Sequence, residues 1–256
     1  MQFFLKMLAI WIGVSSLGYT AYKDDDSSLW LIQEEFIKIG KKEAYETLQN
    51  QWMQGFAKKL EGSDGFWRVK KSLWSIYGLQ VQQEPQYMYM IPLPDSCSLM
   101  DFFNKQKEYN DSLVLGHKPE GLSLISFLNF SVNSLHIYLK HCSHIEVGQG
   151  DAWEKTPFIT YWVYGITPGN EQVFEEALHK LAGMPVDGGL SGSWRAWRVL
   201  IGSDAPKYVI MAFAASDSGL EGARKMLKTL PHAMKDIIRN QKEGRAILKM
   251  PISLLP

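Results

Sequence analysis

Gln33 and Glu35 alternate along the β-forming run LWLIQEEFIKI, residues 29 to 39, and Trp162 and Tyr164 alternate in the same way along FITYWVYGI, residues 158 to 166. A strand sends alternate side chains to one face, so each pair shares a face. Glu35 is the group there that could accept a proton, Gln33 and Tyr164 could anchor a polar substrate atom, and Trp162 could wall an apolar or aromatic ligand. Arg195, directly after Trp194, could meet an anion or stack its guanidinium on an indole. His232 could serve as acid, base or metal ligand. The catalytic candidates are therefore Glu35, Tyr164 and His232; the ligand-binding candidates are Gln33, Glu35, Trp162, Tyr164 and Arg195.

Familiar catalytic signatures are missing from the 256 residues. There is no Gly-x-Ser-x-Gly elbow, phosphate loop, His-Glu-x-x-His or dinucleotide fingerprint, and DGGLSGSW at 187 to 194 lacks the lysine of a phosphate loop. His141, Cys142 and His144 lie together, but a strand would set the two histidines on opposite faces, so no metal site is expected. Cys97 and Cys142 are the two cysteines, and their spacing does not decide whether they pair. With 27 basic and 27 acidic residues and no long run of either sign, the chain lacks the footprint of a nucleic-acid binder. A hydrophobic fraction of 46% is ample for a buried core.

The elements that would position these groups are written twice. PQYMYMIPLPDS at 85 to 96 parallels PKYVIMAFAASDS at 206 to 218, FIKIGKKEAYE parallels GITPGNEQVFE, and FWRV at 66 to 69 parallels SWRA at 193 to 196, in the same order. Each half reads strand, helix, strand, strand, helix, strand. In the second half these elements are expected at 158 to 166, 170 to 182, 193 to 201, 207 to 214, 218 to 243 and 245 to 252, with Asp217 or Ser218 capping the long helix as Asp95 or Ser96 caps its counterpart. In the first half SLISFLNFSV, 123 to 132, closes the unit. The fold class is α+β: two tandem ferredoxin-like βαββαβ units, each covering the open sheet face of the other. The units are placed at 27–145 and 158–256, with a linker at 146–157 that follows an extra strand-like piece from 135. Residues 1–18, MQFFLKMLAIWIGVSSLG, have the grammar of a signal peptide or an uncleaved N-terminal anchor, which predicts an exported protein touching membrane only through that segment.

FIKIGKKEAYE, GITPGNEQVFE and LEGSDGFW resemble the first strand, turn, helix and second-strand link of the dimeric α/β-barrel superfamily. That group holds antibiotic-biosynthesis-type monooxygenases, NIPSNAP-like proteins, heme-degrading monooxygenases and the chlorite dismutase family. The resemblance covers about residues 29 to 134 and 158 to 254. It implies one barrel built within the chain where most members use two chains, with the face carrying Ile37, Ile166, Gln33, Glu35, Trp162 and Tyr164 turned to the barrel interior. Heme-degrading members use an Asn on strand one, a Trp ending strand three and a His on the second helix. Gln33 and Trp162 stand at the Asn positions, MIPLP and FAAS lack the Trp, His117 falls beyond its helix, and only His232 comes near the ligand position. The resemblance therefore implies no cofactor, with heme through His232 as the weak exception.

Two functions stay open from the sequence. The first is a non-catalytic, exported protein holding a small apolar or aromatic ligand between the fused halves, or forming a homo-oligomer. The alternative is a cofactor-independent or heme-dependent monooxygenase, with Glu35 as base and Tyr164 and Arg195 as anchors.

Overall fold

The structure is a computed structural model that describes residues 29–61, 75–79, 86–93, 96–115, 124–145, 156–184, 193–202 and 205–248. Residues 1–28, Trp67, Arg68, Asp95, His117 and residues 146–155, where the N-terminal segment and most of the linker were expected, lie outside the described residues. Among the described residues no helix is long and apolar enough to cross a membrane.

Strand β1 (Leu29–Ile37) is apolar on both faces, which suits a strand covered on both sides. It ends at a turn where Gly40 has φ 74°, and Gly169 occupies the matching turn with φ 87°. A residue bearing Cβ is strained there, which explains why glycine recurs at this point of the repeat. Helix α1 (Lys42–Glu61) follows, then β2 (Ser75–Leu79), β3 (Gln86–Leu93), α2 (Ser96–Leu115) and β4 (Leu128–Tyr138). The second half runs β5 (Phe158–Ile166), α3 (Glu171–Ala182), β6 (Trp194–Ile201), β7 (Lys207–Ala214), α4 (Glu221–Leu227), α5 (Leu230–Ala233) and β8 (Ile238–Leu248).

The eight strands close a barrel in the order β1-β3-β2-β8-β5-β7-β6-β4, every pair antiparallel. Within it each half contributes the same sequence of neighbours, β4-β1-β3-β2 and β8-β5-β7-β6. The seams join β2 to β8, from Tyr77↔Leu248 to Leu79↔Ala246, and β4 to β6, from Leu135↔Ile201 to Tyr138↔Trp197.

Two apolar clusters lie between the barrel wall and the helices, one in each half, and a third fills the barrel. The barrel cluster takes Trp30, Ile32, Met88 and Tyr138 from the first half and Ile159, Tyr161, Trp197 and Met211 from the second. Trp197 is the hub, edge-on to Trp30 at 6.0 Å and 5.7 Å from Tyr138. A fully buried side chain of this size contributes about 2–3 kcal/mol, so a half without its mate would lose much of its stability.

Two element boundaries differ from those expected. The piece from 135 is no extra strand: after a short 3-10 turn at Ile125–Phe127, β4 runs unbroken to Tyr138, because it must pair with β1 along its length and still reach β6. The helix expected over 218 to 243 is a 3-10 turn at Ser218–Leu220 followed by α4 and α5, and β8 already begins at Ile238. Pro231 sits in the first turn of α5, and residues Arg239–Glu243 are exposed, so their helix-forming composition conceals a strand. Asp217 flanks the 3-10 turn without a side-chain capping bond; its carboxylate instead holds the buried Arg224 at 2.7 Å, and Arg224 also reaches Thr160 Oγ1 at 2.9 Å.

The repeated Pro-x-Tyr has a concrete role. Tyr87 on β3 donates to Glu46 of α1 at 2.5 Å, and Tyr208 on β7 donates to Glu175 of α3 at 2.7 Å. Each half thus ties its first helix to its third strand by the same hydrogen bond. Tyr87→Phe and Tyr208→Phe should each lower unfolding free energy by about 1–2 kcal/mol, and the double variant by their sum, since the sites belong to separate clusters. Urea denaturation of the four proteins checks this; unequal single losses would contradict the equivalence of the two bonds, and a strongly non-additive double variant their independence.

Candidate functional site

One face of each strand points into the barrel, and the third cluster leaves part of that interior unfilled. A cavity of about 160 Å³ remains, walled by Ile32, Met88, Val199, Val209 and Met211. Its polar lining comes from Glu34, Ser134, His136, Tyr161, Lys207 and Lys242. Register accounts for the grouping: Glu34 lies opposite Val132, Ile32 opposite Ser134 and Trp30 opposite His136, while Val163 lies opposite Lys242 and Tyr161 opposite Gly244. A Cβ at Gly244 would overlap the Tyr161 ring, so glycine is what lets that phenol lie across β8. Val132 lines the cavity and is also 37% exposed, so the cavity opens at this end beside the stacked rings of Phe36 and Phe130.

His136 is tied to its own strand through Ser134. Ser134 Oγ donates to the Ile32 carbonyl at 3.3 Å and lies 2.7 Å from His136 Nε2. A hydroxyl has one hydrogen: when Ser134 donates it to the Ile32 carbonyl it accepts from Nε2–H and Nδ1 is an acceptor, and when it donates to Nε2 the proton sits on Nδ1. Nδ1 is buried with no hydrogen-bond partner, and the buried Tyr161 hydroxyl has none either. Burial, helped by the charge of Lys207, pushes His136 down to about 3, so the ring is neutral at ordinary pH. Burial raises Glu34 above the usual carboxylate value, outweighing the pull of Lys242 and Lys207. Tyr161 is pushed up to about 12, first by burial and then by the Glu34 charge. Both lysines, Glu34, His136 and Tyr161 therefore share one electrostatic environment.

The candidates from the sequence sit elsewhere. Gln33, Glu35, Trp162 and Tyr164 were expected inside the barrel; they occupy the opposite strand face, beneath the helices. Both faces of β1 and β5 are apolar, so periodicity alone could not tell them apart. Glu35 is held there by Gln33 at 2.5 Å, by Tyr45 and by Tyr89 at 3.2 Å, and burial raises its pKa despite those bonds. A carboxyl so enclosed under α1 has no open approach for a substrate proton. Trp162 and Tyr164 are fully buried against Phe174 and Leu178 of α3. The indole N–H of Trp162, the hydroxyl of Tyr164 and the indole N–H of Trp194 are without hydrogen-bond partners in that layer. Arg195 does face the barrel interior, opposite Met211, but it lies over the Tyr138 ring at 5.4 Å and lines no part of the cavity.

His232, the weak heme-ligand candidate, is exposed on α5 and does not line the cavity. The cavity is also smaller than the roughly 300 Å³ at which pockets for ordinary cofactors begin, so it does not fit a porphyrin. No group of acidic, histidine or cysteine side chains among the described residues could hold a metal ion. His144 stacks on Trp194 at 4.9 Å and hydrogen-bonds the Ala182 carbonyl, while Cys142 is a buried free thiol, 3.4 Å from the Glu175 carbonyl. His136 itself escaped the sequence reading because it fell in the piece taken as a separate strand. Its signal was the alternation Val132, Ser134, His136, Tyr138 along one continuous strand.

His136 gives a pH test. Above pH 6.5 both folded and unfolded chains hold the ring neutral; between 6.5 and about 3 only the unfolded chain binds the proton, so stability is lost as pH falls. Glu34 and Glu35, with raised folded pKa values, act oppositely: they stabilise the fold below 4.5 and that gain fades as pH rises through their folded values. Comparing the parent with His136→Leu isolates the histidine. The variant should gain on the parent by about 1 kcal/mol per pH unit between about pH 6 and pH 4, read from urea midpoints. A difference independent of pH would show that the native ring protonates normally.

No protein-family model and no curated protein sequence matches the chain. Solved structures do. A protein from Fusobacterium nucleatum subsp. nucleatum, provisionally assigned as a monooxygenase, is similar with a TM-score of 0.53 and 12% identity over 86% of this chain and 92% of its own. A chlorite dismutase variant from Candidatus Nitrospira defluvii is similar with a TM-score of 0.52 and 5% identity over 88% and 93%. A provisionally assigned monooxygenase from Lactobacillus acidophilus is similar with a TM-score of 0.50 and 7% identity over 87% and 94%. At such identities the likeness is one of fold alone, a closed antiparallel barrel with helices packed outside it.

Proposed function

We propose that this protein binds one small, largely apolar molecule inside the barrel formed by its two fused ferredoxin-like halves. The reading rests on a single observation: a cavity between the halves whose apolar walls end in two buried polar atoms, His136 Nδ1 and the Tyr161 hydroxyl, that have no partner. Buried polar atoms are nearly always satisfied, and a ligand atom is one way to satisfy them. An exported setting, as the N-terminal sequence implies, belongs to the same proposal. Lys207 and Lys242 near the open end would draw a polar or acidic group, and Met88 and Met211 would adapt to the apolar body.

A second reading, an oxygenase acting beneath the helices of the second half, is favoured by the unpartnered polar atoms of Trp162, Tyr164 and Trp194. That layer is packed and Glu35 lies in the other half, so the groups for proton removal are not assembled there. Heme chemistry would need a histidine ligand that His232, exposed on α5, does not provide.

Native mass spectrometry of the full chain should find a small-molecule adduct. Val209→Phe, which puts a ring into the cavity, should lose it while keeping a cooperative thermal transition; an adduct undiminished by that substitution would remove the cavity from consideration. Hemin titration should give no Soret change that His232→Ala abolishes. A Soret change lost in that variant would favour the heme reading.

A further inference from the structure

The lining carries the ammonium groups of Lys207 and Lys242 and the carboxyl of Glu34. Tyr161 and Lys242 are neighbours on one face: Tyr161 faces Gly244 across the β5–β8 ladder, and Lys242 is two residues along. Between them they offer a phenolic O–H and an ammonium, both hydrogen-bond donors. His136, from the other half, offers a lone pair on Nδ1 in the tautomer whose Nε2–H is used by Ser134. A ligand for that tautomer accepts at one end and donates at the other. In size the cavity matches the roughly 150 Å³ space that, when wholly apolar, holds one benzene ring.

Building on the cavity reading above, we propose that the ligand is a single-ring hydroxylated carboxylic acid, its carboxylate held by Tyr161 and Lys242 of the second half and its hydroxyl donating to His136 Nδ1 of the first. The ring lies against Met88, Met211 and Val209. Specificity then comes from polar matching: benzoate leaves His136 Nδ1 bare and phenol leaves the Tyr161 hydroxyl bare, each a buried atom without its bond, while the exposed Lys242 adds its charge at the solvent end.

The test uses the full chain and calorimetric titration with the three hydroxybenzoate isomers, benzoate and phenol. One hydroxybenzoate isomer should bind at least about tenfold tighter than benzoate or phenol, the factor that one well-made buried hydrogen bond supplies. His136→Leu should reduce that isomer to the affinity of benzoate while leaving benzoate unchanged, and Lys242→Gln should reduce it to that of phenol while leaving phenol unchanged. The unchanged probe in each variant reports an intact cavity. If benzoate and phenol bind as well as the best isomer, the ligand class is wrong and the cavity reading stands. If no ring compound binds the parent, the ligand class falls, and the cavity reading is decided separately by the native adduct and its loss in Val209→Phe.

Discussion

The barrel holds together because each half presents a sheet whose inner face is apolar and whose outer strands lack one neighbour. Both needs are met at once when β2 reaches β8 and β4 reaches β6. Backbone groups at a sheet edge demand partners, and here the partner strand also brings the cover for the inner face. The interior cluster around Trp197 exists only after both seams close, because its members come from both halves. The cavity is a remainder of that closure, the part of the interior that the large aromatic side chains at the other end do not fill.

Helices complete the wall from outside, and their attachment differs between the halves in an informative way. The first helix of each half is tied by a Tyr–Glu bond, repeated. Beyond that the second half uses Arg224, buried and held by Asp217, Glu221 and Thr160, to fasten the short α4 onto β5. The first half instead has the 20-residue α2, with Tyr109 packed over Phe56 and Trp52 of α1. A short helix with few apolar residues needs a charged clamp; a long one supplies its own contacts.

Much of this was legible in the residues. The paired glycines announced the two turns, and the paired Pro-x-Tyr announced matching third strands, because each answers to a local requirement, positive φ in one case and a strand-to-helix bond in the other. The choice between strand faces was not legible. Leu31 and Ile32 are both buried, one beneath a helix and one inside the barrel, and nothing in either residue says which cover it meets. That ambiguity moved Glu35 and Tyr164 to the wrong side and hid Glu34 and Tyr161. The polar run at Arg239–Glu243 misled for another reason: its side chains are exposed, so helix-forming residues cost little there while the backbone is held in the ladder with β5.

The two halves pair their first and last strands in the same register, yet their inward positions do not match in chemistry. Glu34 corresponds to Val163, Val132 to Lys242, Ser134 to Gly244 and His136 to Ala246. In a barrel made from two identical chains, the twofold axis would print every inward group twice, giving two copies of any site or one site straddling the axis. A single covalent chain is released from that rule. Its lumen can be polarised, an acceptor on one side and cations on the other, so that a guest has a head and a tail and enters in one orientation only.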